Sequence, residues 1–168
     1  MNNFSEKSLK TLEFDKILDR LSSFTACQQT KERILNIKPE KNLKNALKLI
    51  DETEGALSLT YKFGNPSFYG LVDITASAKR AKSGGILSLK ELRNIATVLF
   101  LARSLKSYIS EEKENVLAPM FFALEPQKNL EEEIFGSILS DEEVADNASP
   151  ELFKIRRKII SANENIRS

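Results

Sequence analysis

The stretch from Ser149 to Ser168, SPELFKIRRKIISANENIRS, constrains the fold more than any other part of this chain. Ser149 is a good N-cap, Pro150 suits the first helical position, and Glu151 places a carboxylate in the first turn. Apolar residues then fall at Leu152, Ile155, Ile159, Ala162 and Ile166. Alternating steps of three and four make a heptad seam, the pattern by which one helix packs lengthwise on another. The stretch has a start signal but no Gly or Pro to end it. It therefore reads as the start of a long helix that continues past Ser168, and the chain as an N-terminal piece of a longer protein.

The remainder is also predicted to be helical. Phe14, Ile17, Leu18, Leu21 and Phe24 mark an amphipathic helix. Thr25 would cap a short helix through Ile34 and Leu35, stopped ahead of Pro39. Leu43, Ala46, Leu47, Ile50, Ala56, Leu57 and Tyr61 mark a longer one, with Gly55 as a weak point. Asn65, Pro66 and Gly70 turn the chain, and Ile74–Lys82 forms another short helix. Gly84 and Gly85 then make a tight turn into a capping box, with Ser88 at N-cap and Glu91 at N3. The helix opened there is apolar at Leu92, Ile95, Ala96, Leu99, Ala102 and Leu105, which predicts a place at the centre of the core. Val116–Leu124 and Leu130–Leu139 are further helical segments. Ser140–Ala148 is acidic, and reads as an exposed loop or one small β-hairpin at 140–148. The expected fold is all-α: a helical core over residues 1–148, and the start of a projecting helix over 149–168.

Composition narrows the function. The chain has no His, which removes a His triad, a His metal site and a His proton shuttle from these residues. A lone Cys27 cannot make an internal disulfide, and its default reading is a small buried side chain. The N-terminus lacks the apolar core of a signal peptide, and no stretch is long enough to span a membrane, so a cytoplasmic protein is expected. Net charge is +1, from 25 basic and 24 acidic residues, without the basic excess of a dedicated nucleic-acid binder. The basic cluster Lys154, Arg156, Arg157 and Lys158 flanks the heptad seam. These four are the candidate nucleic-acid contacts, although such residues more often solubilise a coiled coil.

Chemical motifs are scarce. Gly84–Gly85 precedes a helix N-terminus, but the G-x-x-x-x-G-K-[ST] of a phosphate-cradling loop is missing. Lys79, Arg80 and Lys82 read as a solvated helix face. Asp141, Glu142, Glu143 and Asp146 have no ligand-spaced partner segment, so no metal site is assigned. No catalytic or cofactor-binding residue is assigned either. Gly84, Gly85, Ser88, Glu91, Ser149 and Pro150 are read as caps and turns that fix where helices begin.

Four segments carry a family resemblance: LEFDKILDRL (Leu12–Leu21), FYGLVDI (Phe68–Ile74), RAKSGGILSLKEL (Arg80–Leu92) and DNASPELFKIRRKI (Asp146–Ile159). In wording, order and spacing they resemble the N-terminus of the MutS-II family, bacterial MutS-type ATPases without the mismatch-reading and connector domains. The resemblance implies a helical core, outgoing lever helices that lead to a clamp, then a P-loop ATPase domain using ATP and Mg, and often a small nuclease-like Smr domain. It also implies a homodimer formed through the downstream domains, acting on branched DNA in suppressing recombination or on collided ribosomes. No residue of the Walker motifs, clamp or nuclease can be placed on this chain. The competing reading is a free-standing helical adaptor whose terminal coiled coil recruits a partner; a stop codon directly after Ser168 would favour it.

Overall fold

The computed structural model describes residues 6–25 and 27–167, and for Arg167 only the backbone. Among these residues there are nine α-helices and no strand beyond one isolated bridge. The fold is all-α. The helices are α1 (Glu6–Thr11), α2 (Phe14–Ser22), α3 (Gln28–Leu35), α4 (Leu43–Phe63), α5 (Thr75–Lys82), α6 (Leu89–Tyr108), α7 (Ala118–Phe122), α8 (Lys128–Ser137) and α9 (Pro150–Arg167). Backbone packing divides the chain into two compact units, Met1–Asp73 with Ser104–Leu124, and Ile74–Arg103 with Glu125–Ser168.

In the first unit, a helical stretch from Glu6 to Ser22 is broken at Glu13, whose φ of 54° lies in the left-handed region. That break makes α1 a separate helix, which the apolar spacing of α2 gave no sign of. At α3 the N-cap position belongs to Cys27, not Thr25; the Thr25 hydroxyl oxygen instead accepts from the Cys27 N–H at 3.3 Å. Cys27 is half-buried.

Asn42 caps α4, its side-chain oxygen accepting from Lys44 N and Asn45 N. The helix runs unbroken through Gly55 for a packing reason. A Cβ there would stand 2.6 Å from Val116 Cγ1 and 3.1 Å from Asn115 Oδ1, so glycine permits close approach of the 115–116 segment. Asn115 also donates to the Gly55 carbonyl at 3.1 Å. One turn on, Leu59 is buried with Ile109 and Ala118, and Tyr108, Leu117 and Phe121 pack around them. The Tyr108 hydroxyl donates to the Gly64 carbonyl at 2.8 Å, tying down the end of α4.

The second unit is built on the N-terminal part of α6. Ala96 is fully buried with Ile134 and Ile138, and Leu89, Leu92, Ile95 and Phe135 pack against this cluster. After α8 the chain turns extended at Ile138, which pairs with Val144 in an antiparallel bridge. Leu139 N donates to the Glu143 carbonyl, and Ala145 N to the Ser137 carbonyl, each at 2.9 Å. The small hairpin thus occupies 137–145, starting earlier than expected because Ile138 leaves α8 already in strand conformation.

Among the described residues, the most enclosed charge of this unit is Glu131 on α8, only 3% exposed. Arg103 of α6 donates to both of its carboxylate oxygens, from Nε at 3.0 Å and Nη2 at 2.7 Å. This fork-to-fork pair gives the carboxylate the donors that burial would otherwise deny it.

Candidate functional site

Two local constructions carry the residues singled out in the sequence. The first is the elbow between α5 and α6. Gly84 has φ +77°, its N–H bonds the Ala81 carbonyl, and Gly85 N–H bonds the Arg80 carbonyl, both at 2.9 Å. Those two bonds form a Schellman motif, which closes α5 using the left-handed conformation that glycine adopts without strain. Three residues later the capping box opens α6. Ser88 N donates to Glu91 Oε2 at 2.9 Å, and Glu91 N donates to Ser88 Oγ at 3.3 Å.

The other carboxylate oxygen of Glu91 reaches across to α5. It accepts from Ser77 Oγ at 2.9 Å and from Arg80 Nη2. The hydrogen bonds from Ser88 N, then from Ser77 and Ser88 hydroxyls, with Arg80 beside them, hold the Glu91 carboxyl down at about 2. Lys79, Arg80 and Lys82 are all exposed, but Arg80 is in addition bound to Glu91. Gly85 makes the reach of Arg80 possible: a Cβ there would lie 2.5 Å from Arg80 Cγ. Sequence spacing showed the two caps, but the Arg80–Glu91 link depends on how the caps fold back on each other.

Gly84→Ala is expected to destabilise the protein by about 1–2 kcal/mol, the cost of a left-handed alanine. Urea unfolding would measure it, and Gly84→Asn, which tolerates that conformation, should cost less.

The second construction is the root of α9. The Ser149 hydroxyl oxygen accepts from Leu152 N at 3.1 Å, capping the helix, and Pro150 is its first residue. Arg156 donates to the Val144 carbonyl at 3.1 Å and pairs with Asp146. Of the four candidate nucleic-acid contacts, Arg156 is thus the one that fastens α9 to the hairpin. Arg157 lies over the Phe153 ring at 5.7 Å, and Lys154 and Lys158 are exposed. The Arg156 link was not legible in the sequence, because its partner is a backbone carbonyl brought close by the hairpin.

Beyond this root the seam is open. Leu152 is half-buried, but Ile155 and Ile159 are each 55% exposed and Ile166 is 81% exposed. Among the described residues, no group of three or more His, Cys, Asp or Glu is arranged to hold a metal ion. No described helix is long and apolar enough to cross a membrane.

No protein-family model matches the chain. Individual proteins do. The chain is 43% identical over 166 residues to a protein of Agathobacter rectalis named Endonuclease MutS2, an alignment covering 96% of this chain and 21% of that protein. It is 39% identical to proteins of the same name from Ruminiclostridium cellulolyticum and Acetivibrio thermocellus, over 97% of this chain and 21% of each relative. The chain thus spans about a fifth of the length of the relatives it matches, and across nearly all of its own length it is an N-terminal segment of a MutS2-like protein.

Proposed function

We propose that this segment is the core and the root of an outgoing lever in a MutS2-type ATPase, coupling a nucleotide switch to a clamp that engages branched DNA or a stalled ribosome. The observation that carries the reading is the contrast along α9. Its first two turns are held by the Ser149 cap and the Arg156 link to Val144 and Asp146, while the seam from Ile155 onward is exposed. A helix clamped at one end and open along an apolar stripe is suited to pairing with a second helix and moving with it as a rigid lever. On this reading the core spans residues 1–148 and the lever begins at Ser149. ATP and Mg are bound elsewhere in the protein, homodimer contacts lie in its other domains, and the assembly works in the cytoplasm. Among the described side chains of α9, Lys154, Arg157 and Lys158 are basic groups available to a nucleic-acid backbone.

The test uses the full-length protein with Arg156→Ala, which loosens the root without touching any nucleotide-binding residue. Basal ATP hydrolysis is expected to stay within about twofold of the parent. Stimulation by a four-way DNA junction or by stalled ribosomes should fall at least several-fold, and whichever ligand stimulates the parent identifies the target. Undiminished stimulation in the variant would remove the coupling role from this root.

A further inference from the structure

The hairpin at 137–145 is gripped by an arginine from each of two helices. Its ladder bonds, Leu139 N to the Glu143 carbonyl and Ala145 N to the Ser137 carbonyl, flank the Ile138–Val144 pair. In an antiparallel ladder this turns the carbonyls of the flanked pair outward, one on each edge. A two-stranded hairpin has no third strand to supply donors there. On one edge Arg93 of α6 donates from Nη1 to the Ile138 and Leu139 carbonyls, each at 2.8 Å, and its Nε lies 3.9 Å from Asp141 Oδ1. Its guanidinium also stands 5.9 Å from the centre of the Phe135 ring on α8. On the other edge Arg156 of α9 takes the Val144 carbonyl and Asp146. Each arginine thus meets the same pattern, an outward carbonyl with an aspartate shortly after it.

We infer that the hairpin is the joint through which α6 sets the direction of α9, and that Arg93 positions α9 from the opposite edge of that joint. Ile138, buried with Ala96, anchors the first strand in the core of this unit. One buried side chain fixes how deep a strand sits but leaves it free to swing about that point. The contacts of Arg93 to two carbonyls and a carboxylate remove the swing, because a planar guanidinium presents its donors in fixed directions. The second strand follows the first through the ladder, and the root of α9 follows the second strand through Arg156. These links act in series, so breaking either arginine frees the helix. Length amplifies any error at the root. With 18 residues α9 is about 27 Å long, and a tilt of about 10° moves its far end by roughly 5 Å. This inference goes beyond the coupling role, since α9 takes its direction in this way whether or not it transmits motion.

Double electron–electron resonance in the full-length protein tests it. Spin labels are attached through p-acetylphenylalanine at positions 90 and 158, both exposed, and labelled protein is diluted with unlabelled so that distances within one chain are read. The parent should give one narrow distance distribution. Arg93→Met keeps the side chain's length without its donors, and should widen the distribution about twofold as tilt at the root is carried along the helix. Arg93→Lys should recover part of the parental width. Arg156→Met should widen it similarly, and the double variant no more than the wider single one. Arg103→Met is the control: it weakens the same unit at Glu131 and should leave the distribution narrow. An unchanged distribution in Arg93→Met, shown to be folded by circular dichroism, would overturn the inference. Equal widening in Arg103→Met would do the same, since it would mean general loosening, as would additive widening in the double variant, since the two arginines would then act separately. If Arg93→Met fails to fold, Arg93→Lys carries the test, with an intermediate width expected and the parental width overturning it.

Discussion

Arg103→Met is expected to lower the urea unfolding midpoint of this segment by roughly 1–2 M at neutral pH, since it strands a buried charge. Glu131 is only 3% exposed and depends on Arg103 for two hydrogen bonds. The variant keeps most of the side-chain volume at position 103 but leaves the carboxylate without those donors. Glu131→Gln is expected to cost less. Its amide still fills the site and can accept one bond, and the Arg103 side chain, 38% exposed, recovers hydration.

The pH dependence separates this mechanism from simple loss of packing. In the parent, the hydrogen bonds from Arg103 outweigh desolvation and hold the Glu131 carboxyl below its ordinary range. A depressed folded-state value contributes stability that is fully present above the unfolded carboxylate range, near 4.3, and is lost as pH falls through the folded value. In Arg103→Met only desolvation and the weaker field of Lys128 remain, so the carboxyl should rise above that range. Acidification then relieves the variant while it weakens the parent. The gap between their midpoints should narrow from pH 7 to pH 4; a constant gap would mean that the loss is packing alone.

This ion pair shows where sequence reading stops. Helices fixed by neighbours in sequence were legible: the Ser88–Glu91 box, the Ser149 cap, and the apolar spacing that puts Ala96 in a core. What the spacing of residues could not show was the partner across a fold. Arg103 and Glu131 are far apart in sequence, and each alone looks like an ordinary surface charge. Arg80 read as part of a solvated face because its partner, Glu91, was already accounted for by its own cap. The apolar positions of α4 were legible as amphipathic, yet periodicity does not distinguish a face packed within the segment from one left uncovered. Glu13 gave no signal, because a left-handed glutamate is set by its surroundings and not by propensity.

Amide hydrogen exchange along α9 should show protection falling by at least about a hundredfold between its root and its far end in a dilute sample of residues 1–168. The root has the means to stay closed: the Ser149 cap, half-buried Leu152, and Arg156 bound to the Val144 carbonyl and Asp146. From Ile159 onward every described side chain is exposed, so those turns have only helix propensity to hold them. A few turns without tertiary support are marginal in water, because the cost of ordering the backbone is met by one hydrogen bond per residue and little else. Amides up to about Lys158 should therefore exchange slowly, and those of Glu164–Ile166 near the rate of a free peptide. In the full-length protein the same distal amides should gain protection by a comparable factor, as a partner helix covers Ile159, Ala162 and Ile166. Strong protection through Ile166 in the dilute segment would mean that the seam is satisfied without a partner, and the lever assignment would fall. Weak protection in both samples would leave the distal helix unpaired in the whole protein, and would equally end its role as a rigid arm.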